Sequence, residues 1–188
     1  LHLSIRRQRQ MCIRDRCALG HSSPVVSRAL EEQSKKLVHV SNLYYTRPQV
    51  DLARLLVENS FADRVFFCNS GAEANEAAIK LARRYSKEKF GADRYRIISM
   101  IGSFHGRTMA TLSATGQDKI KTGYDPLLGG FKFVPFNHIR KLAEAVDESV
   151  CAVMVEPIQG EGGVVCPDPG YLKAVSYTHL TLPTNREV

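Results

Sequence analysis

Residues 150–163 read VCAVMVEPIQGEGG. Val150 to Val155 is an unbroken apolar run of strand length, the pattern of a strand covered on both faces, and it passes at once into Glu156-Pro157. The residue before a proline is biased to extended geometry, which keeps Glu156 on the strand end. Upstream, residues 96–108 read RIISMIGSFHGRT and residues 64–73 read RVFFCNSGAE. Each is again a short apolar run followed by a polar, glycine-containing turn. Helical patterns lie between and before these runs. Ser23 and Pro24 form an N-cap and first helical position, with Val26, Ala29, Leu30, Gln33 and Leu37 on one face. Thr46 and Gln49 have capping-box spacing, followed by Leu52, Leu55 and Leu56. An alanine-rich helix after Gly71 carries the stripe Ala74, Ala77, Ala78, Leu81, Ala82 and Tyr85, with Gly91 as its stop. A further strand over Lys132–Pro135 precedes a helix capped by Asn137 and running to about Val146. Alternating strands and helices predict an α/β fold, with a mostly parallel sheet, helices on both faces and right-handed crossovers. Ligands in such sheets gather at the carboxyl ends of the strands.

Three polar turns stand at such ends. In Asn69-Ser70-Gly71-Ala72-Glu73 a helix begins, and its free N–H groups and dipole suit a phosphate. Gly71 and Ala72 let an anion approach the backbone, and Ser70 offers a hydroxyl. The same tetrad also reads as a plain capping box between Ser70 and Glu73. In Ser103-Phe104-His105-Gly106-Arg107 the ring of Phe104 suits stacking on a planar group, and Arg107 suits bidentate capture of a carboxylate. A core Phe104, a surface His105 and a solvated Arg107 are the plainer alternative, and His105 alone reads as structural. In Glu156-Pro157-Ile158-Gln159-Gly160-Glu161-Gly162-Gly163 one carboxylate ends a buried strand, where it is costly unless partnered. A second, Glu161, rides a loop that its glycines leave free to bend. A simple turn after a strand is the alternative here.

Composition adds exclusions. The 188 residues are 44% hydrophobic and 24% charged, ordinary for a globular chain. The longest apolar run falls far short of a bilayer span, so no membrane partner is expected. Five cysteines with no Cys-x-x-Cys spacing argue against a disulfide framework or a zinc site and for a reducing, cytoplasmic setting. The net charge of +7 by itself suggests a basic nucleic-acid-binding module. Residues 1–16, however, hold five arginines and one acid, and supply +4 of that total. Over 17–175 the balance is 20 basic to 17 acidic residues, with no aromatic-interleaved basic strip, so no nucleic-acid partner is expected. The ends, RRQRQMCIRDR and SYTHLTLPTN, resemble translated sequencing-adapter tails. Residues 1–16 and 176–188 are accordingly expected to be non-native.

Taken together and in order, the three turns and the text between them resemble the class III pyridoxal-phosphate-dependent aminotransferases, over about residues 17–175. Within that family the likeness is greatest to the enzymes that act on N-acetylornithine, towards which Asn42-Leu43-Tyr44-Tyr45-Thr46 tips the reading. Residues 17–45 would then be the N-terminal segment, and 46–175 part of the large cofactor-binding domain of an incomplete α/β fold. The resemblance implies pyridoxal 5'-phosphate as cofactor, with Ser70, Gly71 and Ala72 at its phosphate and Phe104 on its ring. It implies Arg107 on the substrate carboxylate and Tyr45 as a substrate-contacting aromatic. It also implies that Glu161 pairs with a switch arginine, so that one pocket accepts both an ω-amino donor and an α-carboxylate donor. The reaction implied moves the ω-amino group of N-acetylornithine to 2-oxoglutarate, in arginine biosynthesis, in a homodimer. Ornithine, succinylornithine and 4-aminobutyrate are the rival donors.

The family's Asp-Glu-x-Gln segment is not found in the sequence, and none of its ten lysines stands in the context of the Schiff-base lysine. No catalytic residue is therefore assigned, and the chain alone is expected to be inactive. A natural non-catalytic relative that binds cofactor without the lysine is the alternative.

Overall fold

The computed structural model of the chain describes residues 19–41 and 43–177. The expectations for residues 1–16 and for 178–188 lie outside the described residues, as does Asn42. The chain divides into two units, the division falling between Leu55 and Leu56 in the sequence.

The first unit holds α1 (Pro24–Ser34) and most of α2 (Arg47–Glu58). Ser23 caps α1 through its carbonyl, which accepts from Ser27 N at 3.0 Å, and makes no side-chain cap bond. Pro24 opens the helix as expected. The apolar stripes of both helices stay exposed, Leu30 and Leu55 by more than half.

The second unit is an α/β layer. A 20-residue helix, α3 (Gly71–Phe90), precedes β1 (Arg96–Met100). Then come α4 (Met109–Ala114), β2 (Phe131–Val134), α5 (Ile139–Ala145), β3 (Val150–Met154) and α6 (Tyr171–Tyr177). The three strands are all parallel, in the order β2-β1-β3. Ile97 pairs with Phe131 on one side of β1 and with Ala152 on the other.

Because side chains alternate along a strand, β1 feeds two cores. Ile98 and Met100 join Val134, Leu142, Val150, Tyr171 and Val175 beneath α5 and α6. Ile97 joins Ile79, Ala110, Ala114 and Cys151 beneath α3 and α4. Helices thus cover both faces, as the apolar runs predict. Among the described residues no helix is long and apolar enough to cross a membrane.

Three local readings are corrected. Arg64–Cys68 forms no strand: it finds no ladder partner among the described residues, and Phe66 is exposed. The apolar run is real, but a strand needs a neighbour to satisfy its backbone. The inward face of α3 is set by Ile79 and Ser86, while Ala74, Ala78 and Leu81 face outward. In a helix this rich in alanine the periodicity is too weak to fix the phase. The helix capped by Asn137 in the sequence reading is capped by His138, whose Nδ1 accepts from Lys141 N. Asn137 instead adopts a left-handed φ of 60° and ties Cys166 O and Asp168 N with its amide.

Candidate functional site

Ser70 caps α3 with extended geometry, and its Oγ accepts from Glu73 N at 3.2 Å. The Glu73 carboxylate reaches back to Asn69 N at 2.6 Å, one residue beyond a reciprocal box. The carbonyl of Ser70 accepts from Ala74 N. These bonds leave the N–H groups of Gly71 and Ala72 with no acceptor among the described residues, and the Ser70 hydroxyl proton remains free to donate. A Cβ built on Gly71 would meet nothing within 4 Å, so the approach is open. The cap and the anion cradle coexist.

The second turn is stitched to the first. Asn75 Nδ2 donates to His105 O at 2.7 Å, and Glu76 Oε1 accepts from Thr108 Oγ1 at 2.6 Å and from Ala110 N at 3.2 Å. Gly106, at φ +134°, lies so close to α3 that a Cβ there would come within 2.8 Å of the Ala72 Cβ. Only glycine fits this crossing.

His105 is the pin of the turn and is buried, not the surface residue of the plainer reading. Its N–H donates to Thr115 Oγ1 at 3.0 Å, and its Nε2 lies 3.0 Å from Ser99 Oγ. Ser99 in turn lies 3.2 Å from Ser103 Oγ, which accepts from Gly116 N at 3.0 Å. Phe104 and Arg107 flank this pin: Phe104 is half-buried and Arg107 is exposed.

Burial pushes the His105 imidazole down from 6.5 to about 4, so the folded chain holds it neutral. The unfolded chain protonates this ring below about 6.5 while the folded chain resists. Folding stability is therefore expected to fall as pH drops from 6.5 towards 4, by up to about 3 kcal/mol at ~1.4 kcal/mol per factor of ten in proton affinity. Glu156 acts in the opposite sense, because burial raises its pKa and protonation relieves a desolvated charge. Urea midpoints across this range in the parent and in His105→Gln separate the two. An unchanged slope in the variant would sink the assignment to His105.

The third turn docks on the second. Glu156 accepts from Phe104 N at 3.1 Å, which answers why a carboxylate sits at the end of a buried strand. Gln159 donates to Ile101 O at 3.1 Å, and a Cβ on Gly162 would stand 2.7 Å from Gly102 O. Glu161, between these two seats, is exposed. Neither Arg107 nor Glu161 has an ion-pair partner among the described residues.

The structure thus brings together Ser70, Gly71, Ala72, Phe104, Arg107 and the loop of Glu161 on one unit, around the carboxyl end of β1. Tyr45 belongs to the other unit, where it is 96% exposed. The sequence reading missed the ties themselves: Asn75, Glu76, Ser99 and Gln159. A serine inside the apolar run of β1, and two polar residues inside an alanine-rich helix, were the available signals.

The aminotransferase class-III family matches residues 13–179. The acetylornithine aminotransferase of Caldanaerobacter subterraneus subsp. tengcongensis is 56% identical over 158 residues, and that of Methanocaldococcus jannaschii 54% over 157, each over 84% of this chain. Among solved structures, the ornithine aminotransferase from Toxoplasma gondii ME49 aligns with a TM-score of 0.80 at 33% identity, over 85% of this chain and 38% of its own. The chain spans only 40% and 39% of the two acetylornithine enzymes.

Proposed function

Because the chain belongs to the class-III aminotransferases, we propose that it supplies one side of the site of an enzyme that uses pyridoxal phosphate to move the ω-amino group of N-acetylornithine to 2-oxoglutarate. The observation that carries this reading is the meeting of three polar turns around the carboxyl end of β1, with an anion cradle in the first and, in the second, an arginine with no ion-pair partner among the described residues. The identity of 56% and 54% to proteins named for N-acetylornithine supports the donor.

The residues present fit such a cofactor. The open Gly71 and Ala72 N–H groups and the Ser70 hydroxyl would hold its phosphate at the positive end of a helix dipole, and Phe104 would cover its ring. When bound, pyridoxal phosphate supplies a carbonyl carbon that receives the amino group and an electron sink that acidifies the bond broken. The protein's own part is positional. Neutral His105 holds the turn that carries Phe104 and Arg107, which would stand on either side of the cofactor. The Arg107 guanidinium takes a substrate carboxylate through two parallel N–H donors. Glu161 offers a carboxylate that neutralises a neighbouring arginine for an ω-amino donor and releases it for an α-carboxylate substrate.

The lysine that carries the proton, the carboxylate at the pyridine nitrogen and that arginine are assigned to sequence beyond what the chain spans. The complete enzyme is taken as a cytoplasmic homodimer of arginine biosynthesis, with residues 46–175 in its large domain.

Turnover by the complete enzyme tests the donor. N-acetylornithine is expected to exceed ornithine and 4-aminobutyrate in kcat/KM by about tenfold or more, the scale at which pockets separate related substrates. Preference for ornithine would move the chain to the ornithine branch. Absence of any cofactor-dependent transfer would overturn the reading.

A further inference from the structure

Gln159 is buried to 4% exposure in a loop whose other side chains face out, Ile158 and Val164 both by more than half. Its amide Nε2 donates to Ile101 O at 3.1 Å, the first carbonyl past the end of β1. Its Oε1 faces Gly102, where a Cβ would stand 3.2 Å from it. Its backbone exchanges two hydrogen bonds with Val165, at 3.0 and 2.9 Å, which closes residues 160–164 into a short antiparallel loop. A second seat lies on the far side of Glu161: a Cβ on Gly162 would come within 2.7 Å of Gly102 O. A Cβ on the flanking Gly160 or Gly163 would meet nothing within 4 Å, and the Gly163 N–H donates to Gly160 O at 3.4 Å within the loop. Glu161 is thus held between two anchors on the end of β1, by a loop whose remaining backbone bonds are internal to it.

We propose that Gln159 is a positioning residue for substrate choice, fixing where the Glu161 carboxylate stands relative to the amino donor. The inference rests on the reading of Glu161 given above. A buried amide that only filled space would be replaceable by an apolar chain of the same length. Here such a replacement leaves Ile101 O without its donor and frees the loop to move. Displacement by about 1 Å costs on the order of 10- to 100-fold in steps that depend on exact placement. The loss falls on the half-reaction that needs Glu161.

The test uses the complete enzyme, with the two half-reactions measured separately. In Gln159→Met, kcat/KM for the ω-amino donor is expected to fall about 10- to 100-fold, and that for the α-keto acid by less than about threefold. Gly162→Ala, which disturbs the other seat, gives the same inequality and decides the matter if Gln159→Met does not fold. Glu161→Gln shifts the ratio in the same direction, and adding Gln159→Met to it costs little more, because the two act through one contact. In the cofactor-free protein, hydrogen exchange at residues 160–165 is faster in Gln159→Met than in the parent. Equal losses in both half-reactions, or none, would overturn the role of Gln159. A Glu161→Gln enzyme with an unchanged ratio would instead remove the reading of Glu161, and the role of Gln159 with it.

Discussion

Replacing Gly116 by alanine is expected to cost more than about 3 kcal/mol of folding stability, a large share of what a domain of this size possesses. The physical cause is contact with backbone. A Cβ at this position would stand 2.0 Å from Met100 O and 2.9 Å from Met100 C, and neither can rotate away as a side chain could. Gly116 is also bonded on both sides. Its carbonyl accepts from Gly102 N at 2.8 Å, and its N–H donates to Ser103 O at 3.2 Å and Ser103 Oγ at 3.0 Å. Moving it therefore pulls at once on the end of β1 and on the turn that carries Phe104 and Arg107. Gly129→Ala is the matched control, because a Cβ there meets nothing within 4 Å. Urea unfolding of both variants checks the claim. A Gly116→Ala midpoint equal to that of Gly129→Ala would mean that this turn is not built as described.

Arg107→Ala is expected to lower kcat/KM of the complete enzyme for its carboxylate substrates by roughly 10³-fold, the scale for losing one partner of a desolvated, bidentate charge pair. Arg107→Lys should recover only a small part, since an ammonium cannot reproduce two parallel donors. Folding stability should hardly change, because Arg107 is exposed and forms no ion pair among the described residues. Steady-state kinetics beside a thermal melt separates the two effects. Full activity in Arg107→Ala would exclude it from carboxylate binding. A large fall in melting temperature would show instead that it supports the fold.

Much of the architecture was legible because it rests on strong, local signals. Val150 to Val155 and the run RIISM announce buried strands by composition alone, and β3 and β1 lie there. Gly91 announces the end of α3 and indeed adopts φ +97°. Ser70 announces its start. Signals that depend on a partner read less well. Arg64–Cys68 has strand composition, but strand formation is a property of pairs, and its sequence cannot say whether a neighbour exists. The phase of α3 was only half legible because alanine is compatible with either face: Ala82 does pack on the core, but Asn75, Glu76 and Ile79 define the inner face through contacts with residues 105, 108 and 110 and with Ile97. At the site, the reagents Ser70, Phe104, Arg107 and Glu161 were named from chemistry. Of what holds them, only His105 was read as structural; Ser99 and Gln159 were not. Hydrogen bonds such as Gln159 to Ile101, 58 residues apart, leave no trace in local spacing.

The alternation along β1 has a practical consequence for redesign. Ile98 and Met100 face α5 and α6, whereas Ile97 and Ser99 face α3, α4 and the turn pinned by His105. One five-residue strand therefore has a face that serves packing alone and a face that serves both packing and the supports of the proposed site. A protein engineer can repack Leu142, Val134 or Val175 to harden the molecule while leaving the reagents in place. Changes on the other side are felt through Ser99 and His105 at the proposed site.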